Sequence, residues 1–186
     1  MGYHGPRCKG RIARRRLQVR EPPVTGGRSP DLRDYETSNC PVAGAMDILG
    51  EKWTLLVLRD LFAGVRRFDE MQARLGAPRA LLSKRLRRLE DAGIVQRVAY
   101  REPGARARHE YRLTDKGKDL NTILVALKEW GDRWVNAPGR APTDLVDRET
   151  GAPVRLALVR GGDGREVTAR DLRMVPGPGA IPKRQA

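Results

Sequence analysis

The chain has 186 residues, and its 37 Lys and Arg outnumber 23 Asp and Glu, for a formal net charge of +14. A surplus of that size points to a polyanionic partner, nucleic acid first and anionic membrane second, with a merely solubilising surface as the plain alternative. No apolar run approaches the roughly 20 residues that span a bilayer, the N-terminus lacks the apolar core of a secretory signal, and Cys8 and Cys40 form no Cys-x-x-Cys pair; these features predict a cytoplasmic chain with reduced thiols, no membrane association, no metal and no cofactor.

Residues 1–36 carry Arg7, Lys9, Arg11, Arg14, Arg15, Arg16 and Arg20, followed by Pro22, Pro23, Gly26 and Gly27. So few large apolar side chains cannot offset the entropy of ordering, which predicts a disordered basic arm. Arg14 to Arg16 could touch phosphates; a solvated tail, or a start codon assigned too far upstream, is the preferred reading.

Residues 37–136 hold nearly all the helical periodicity and all three tryptophans, Trp53, Trp130 and Trp134. Pro41 suits the first turn of a helix, where its missing N–H costs nothing. Val42, Met46 and Leu49 then recur at helical spacing up to Gly50. A second helix is predicted over 51–62 with Trp53, Leu56, Val57 and Leu61 as its apolar face, and Gly64 stops it. Phe68, Met71, Gln72 and Leu75 mark a short third helix, preceded by Arg66 and Arg67, candidate phosphate contacts. After the tight turn Gly76-Ala77-Pro78, a fourth helix runs from 79 to 92, with Leu82, Leu86 and Leu89 on one buried stripe.

Two short helices joined by a glycine-bearing turn make a helix-turn-helix. At about 100° per residue, Ala80, Ser83, Lys84 and Arg87 face away from the leucine stripe, with Arg79 at the head of the helix. That small, polar, basic face could enter a major groove and reach base edges and phosphates. The alternative is a solvated amphipathic helix, since Arg85 and Arg88 flank the stripe and the basicity is not confined to one face.

A strand over 94–100, an arginine-rich turn over 101–108 and a returning strand over 110–113 form a wing. Its tip carries Arg101, Arg106 and Arg108, suited to the backbone or to a narrow minor groove. Thr114 is a good N-cap with Asp115 in the first turn. One long helix is expected to follow, with Leu120, Ile123, Leu124, Leu127, Trp130 and Trp134 in a stripe wider than the small core covers. A partner chain would bury it. The predicted seam of a homodimer comprises Val42, Met46, Leu124, Leu127, Trp130 and Trp134; packing onto the first two helices is the alternative.

Residues 137–186 open with a linker at Pro138, Gly139 and Pro142. A strand over 153–159, a turn at Gly161-Gly162-Asp163-Gly164 and a second strand or short helix over 167–174 follow, ahead of an irregular tail. There is no internal repeat. The predicted fold class is mainly α with a small β wing: a winged helix-turn-helix with a β-hairpin-like C-terminal extension.

Five motifs in register carry a family resemblance: Cys40-Pro41-Val42-Ala43; Gly50-Glu51-Lys52-Trp53-Thr54; Arg67-Phe68-Asp69-Glu70-Met71; Leu82-Ser83-Lys84-Arg85-Leu86-Arg87-Arg88-Leu89; and Tyr111-Arg112-Leu113-Thr114-Asp115-Lys116-Gly117. In order and spacing the chain resembles the HxlR-type transcription regulators from Cys40 to Trp134. The resemblance implies a winged helix-turn-helix, a homodimer built from N- and C-terminal helices, and operator binding to double-stranded DNA. The N-terminal arm is longer than is usual there. The C-terminal extension resembles one that in longer members often contains metal-suited cysteine pairs; this one has no cysteine, which counts against a metal role.

The expected function is therefore a sequence-specific DNA-binding regulator. A winged-helix protein-interaction module and a non-specific nucleic-acid-binding protein are the alternatives; a dry protein interface would favour aromatic and apolar anchors over a basic face. An enzyme is not expected: there is no G-x-S-x-G, no phosphate-cradling glycine loop and no H-E-x-x-H, and Glu51, Asp60 and Asp69 read as helix-surface charges. Cys40 is a candidate redox sensor. It sits at a helix N-terminus, which favours thiolate, and some HxlR-type regulators use a cysteine at the matching position. A small buried residue beside the dimer seam is the competing reading. The sequence names no operator, effector or direction of regulation.

Overall fold

The computed structural model describes residues 31–101 and 106–183. Arg7, Lys9, Arg11, Arg14, Arg15, Arg16 and Arg20 of the arm, Cys8 and residues 102–105 of the wing turn lie outside them; residues 31–36 of the arm lie within them. The chain divides into two compact units, Thr37–Arg173 and a smaller one made of Met1–Glu36 with Met174–Ala186.

In the larger unit, α1 (Pro41–Leu49) starts at Pro41 with Cys40 as its N-cap. Helix α2 (Lys52–Phe62) turns Thr54, Val57, Leu58, Asp60 and Leu61 inward. Trp53 packs against this core, but Leu56 does not; the inward face is rotated from the one the pattern suggested, and Leu58 takes the central place. Helix α3 (Phe68–Leu75) ends at Gly76, whose φ of 61° is the left-handed conformation that glycine adopts without strain. Its freedom lets α4 (Arg79–Asp91) begin three residues later. Leu82, Leu86 and Leu89 of α4 have no solvent exposure and meet Val57, Leu58, Met71, Ile94 and Val95 in one core. Each such leucine contributes about 1.5–3 kcal/mol of burial free energy.

Strands β1 (Val95–Tyr100) and β2 (Arg108–Leu113) pair antiparallel, from Val95 opposite Leu113 to Tyr100 opposite Arg108. Arg67 adds a one-residue bridge to Glu110, and the Tyr111 N–H donates to the Arg66 carbonyl at 2.9 Å. The segment before α3 is thereby a third rung of the wing.

The helix expected from Asp115 onward is broken. A single turn, α5 (Asp115–Lys118), is capped by the Thr114 hydroxyl, which accepts from the Gly117 N–H at 3.1 Å. The Thr114 hydroxyl also donates to the Gly93 carbonyl at 2.7 Å. Gly117 comes so close to the sheet that a Cβ there would lie 2.2 Å from the Ile94 carbonyl oxygen. Asp119 and Leu120 form a turn between α5 and α6 (Asn121–Trp134). Farther on, the strand expected over 153–159 shrinks to β3 (Leu158–Val159), paired with β4 (Glu166–Val167). Ahead of it, the Asp147 carboxylate accepts from the Glu149 and Thr150 N–H groups at 3.1 and 2.8 Å, and Pro153 forms a one-residue bridge with Val146. Glu129 of α6 accepts the Leu156 N–H at 2.6 Å, fastening this extension to the helix.

The smaller unit ties residues near the two chain ends together. The Glu36 N–H donates to the Ile181 carbonyl and the Lys183 N–H to the Asp34 carbonyl, both at 2.8 Å. Asp31 caps the 3-10 turn Leu32–Asp34; hydrogen bonds from Arg33 hold its carboxyl down at about 2.

Candidate nucleic-acid interface

The leucine stripe of α4 decides which residues face outward. With Leu82, Leu86 and Leu89 inside, Arg79, Ala80, Ser83, Lys84 and Arg87 are all exposed. Residues 80 and 83 on this face are small, and the two cations Lys84 and Arg87 stand about one turn apart.

The predicted cations nevertheless differ in what they touch. Arg79 is engaged within the helix-turn-helix: Nη1 lies 3.2 Å from Asp69 Oδ1 and 3.3 Å from Gln72 Oε1, and the guanidinium stacks 4.7 Å over the Phe68 ring. It fastens α3 to the head of α4. Arg67 lies 4.8 Å over the Tyr100 ring and 3.9 Å from Glu70, so it bridges α3 to the wing. Arg66, Arg101, Arg106 and Arg108 are exposed. Arg97 pairs with Glu90 at 2.9 Å, joining the end of α4 to β1, and that carboxylate raises the Arg97 pKa. Burial pushes the Tyr111 hydroxyl up, against the opposing positive fields of Arg97 and Arg87.

Two readings of acidic and basic residues need correction. Asp60 is not a helix-surface charge: it is fully buried, 2.8 Å from Arg59 and 3.5 Å from Arg74 of α3. Arg85 does not merely flank the stripe. Its side chain is 6% exposed and pairs with Glu51 at 2.5 Å. Arg88 donates to the backbone carbonyl of Asp47, the residue two before the end of α1. Partners this far apart in sequence leave no local signature.

The other exposed feature is apolar. Val42 and Met46 of α1 are 68% and 50% exposed, and Ile123, Leu127, Trp130 and Trp134 of α6 are 43–69% exposed. Leu124, by contrast, packs against the core. Cys40 is a free, half-buried thiol at the head of α1. Among the described residues no group of three or more His, Cys, Asp and Glu could hold a metal ion, and no helix is long and apolar enough to cross a membrane.

Comparison with known proteins agrees with this architecture. A family model described as the HxlR-like helix-turn-helix matches residues 48–138. The chain is 43% identical over 138 residues to the "Uncharacterized HTH-type transcriptional regulator Rv3095" of Mycobacterium tuberculosis, covering 74% of this chain and 86% of that one. Among solved structures it is similar to PA1607, described as "a Putative Transcription Factor", at 39% identity and a TM-score of 0.67, over 75% of this chain and 96% of that one. It is also similar to PA1374 of Pseudomonas aeruginosa, described in the same terms, at 35% identity and a TM-score of 0.53, over 76% and 94% of the two chains.

Proposed function

The chain belongs to the HxlR-like helix-turn-helix family of transcriptional regulators, and from that premise we propose that it binds operator DNA as a homodimer in the cytoplasm. The exposed strip Ala80, Ser83, Lys84 and Arg87, opposite a fully buried leucine stripe, carries this reading. In the major groove, Ser83 and Arg87 would meet base edges while Lys84 and the helix head meet phosphates. Arg66 and the wing cations Arg101, Arg106 and Arg108 would add affinity along the backbone, with sequence read by the helix. Arg79 and Arg67, held by Asp69 and Tyr100 respectively, would chiefly present their neighbours.

The apolar surface of α1 and α6 supports a symmetric dimer. Its two α4 helices would meet half-sites about 34–36 Å apart, one turn of the duplex. The decisive experiment selects bound sequences from random duplexes and then compares the selected site with random DNA across a salt series. Equal affinity for both would reduce the protein to non-specific binding and overturn the proposal.

A second reading concerns the signal. Cys40 caps the helix that carries Val42 and Met46, so an adduct or disulfide at its sulfur would alter the seam and with it the spacing of the α4 helices. We propose Cys40 as an oxidant- or electrophile-responsive thiol on that ground.

A further inference from the structure

Of the cations along helix α4, Arg85 is buried and Arg88 is exposed. Lys84 and Arg87 are exposed to solvent. Arg85 and Arg88, three residues apart and so on one flank of the helix, turn to the junction between α1 and α2. Arg85 reaches Glu51, the N-cap residue of α2, at 2.5 Å. Arg88 reaches the carbonyl of Asp47 in the last turn of α1. Otherwise α1 is lightly held: Leu49 is its one buried residue. Arg88 is thus a direct polar tie between the lightly packed first helix and α4, and Arg85 ties α4 to the head of α2.

Arg85 is an expensive way to make such a tie. A guanidinium stays charged in any protein environment, and here its Nε and Nη1 are buried without hydrogen-bond partners. Apolar residues of similar volume often replace a buried ion pair without loss of stability. What an apolar pair lacks is direction. A charge-assisted bond to Glu51 and a donor on the Asp47 carbonyl fix the rotation of α4 and its distance from α1.

We propose that Arg85 and Arg88 are positioning residues: they make no contact with DNA, and they lock the pitch of α4 to the α1–α2 junction, so that the placement of α1 sets the presentation of Ser83, Lys84 and Arg87. This rests on α4 being the DNA-reading helix. It deepens that reading by naming what aims the helix. If α1 lies in the dimer seam, the same ties transmit the geometry of the seam to the base-reading face.

The test uses the full chain, the selected duplex and a random duplex of equal length, each titrated by fluorescence anisotropy over a salt series. Arg88→Met leaves Ala80, Ser83, Lys84 and Arg87 in place and removes one exposed cation. It should weaken binding to the selected duplex about two- to thirty-fold, the size typical of coupling through a residue that touches neither ligand. Affinity for random DNA and the salt slope should not move, and Arg88→Lys, which can still donate to the Asp47 carbonyl, should recover most of the loss. The double variant Glu51→Gln, Arg85→Met should melt at or above the wild-type temperature and show the same selective loss. A salt slope lower by about one with equal loss on all sequences would make Arg88 a phosphate contact. That result, or unchanged affinity for the selected duplex, overturns the inference; a double variant that unfolds overturns it for Arg85. Failure of the wild-type protein to prefer any sequence would instead refute operator binding itself, and the positioning role with it.

Discussion

Replacing Trp130 with Asp tests the proposed dimer where its energy is concentrated. Trp130 is 60% exposed in the single chain and stands in a row with Ile123, Leu127 and Trp134. A tryptophan offers up to about 250 Å² of surface, so about 150 Å² of Trp130 is open to burial by a partner. At about 25 cal/mol per Å² that area is worth about 3–4 kcal/mol per protomer, an upper value because association also costs ordering and desolvation. A twofold axis brings the residue into the seam twice. Even half of the doubled figure weakens the dimer by two to three decades, at about 1.4 kcal/mol per tenfold, and a buried carboxylate adds its own desolvation cost. The fold of each chain should survive, because α6 contributes no fully buried residue to the core. Sedimentation velocity over nanomolar to micromolar protein, with a thermal melt of the same samples, reads the result. A Trp130→Asp protein that sediments as the wild-type dimer would refute this use of the α1 and α6 surface. So would a wild-type protein that is monomeric at micromolar concentration.

Arg87→Ala should cost about 1–3 kcal/mol on the selected operator if the guanidinium grips a base edge; binding is followed by anisotropy against single-base variants of the site, and undiminished affinity would remove Arg87 from the contact. Leu86→Ala opens a cavity at a site without solvent exposure and should lower unfolding free energy by about 2–5 kcal/mol in urea titration; a loss below about 1 kcal/mol would show that α4 repacks. Operator binding before and after hypochlorite or a quinone should change for wild type but not for Cys40→Ser; an identical response of the two proteins, or an unmodified Cys40 by mass spectrometry, would make the thiol structural.

Much of this molecule is readable from local sequence. The spacing of Leu82, Leu86 and Leu89, the turn at Gly76 and the cap at Thr114 predict helix bounds that the structure matches within about a residue, because helix periodicity and capping involve residues three or four apart. The same stripe sets the outward face of α4, so Ala80, Ser83, Lys84 and Arg87 follow from it directly. Tertiary structure alone decided the fate of most charges. Arg79 and Arg67 lie as exposed by pattern as Arg87, yet one is held by Asp69 and Phe68 and the other by Tyr100. Arg85 is buried because Glu51, 34 positions away, reaches it. Asp60 disappears under α3 beside Arg74. The close approach of Gly117 to the Ile94 carbonyl joins two segments that no single helical window contains. An apolar side chain declares its preference for burial in its own composition, whereas the cost of burying a charge depends on a partner that only the folded chain supplies.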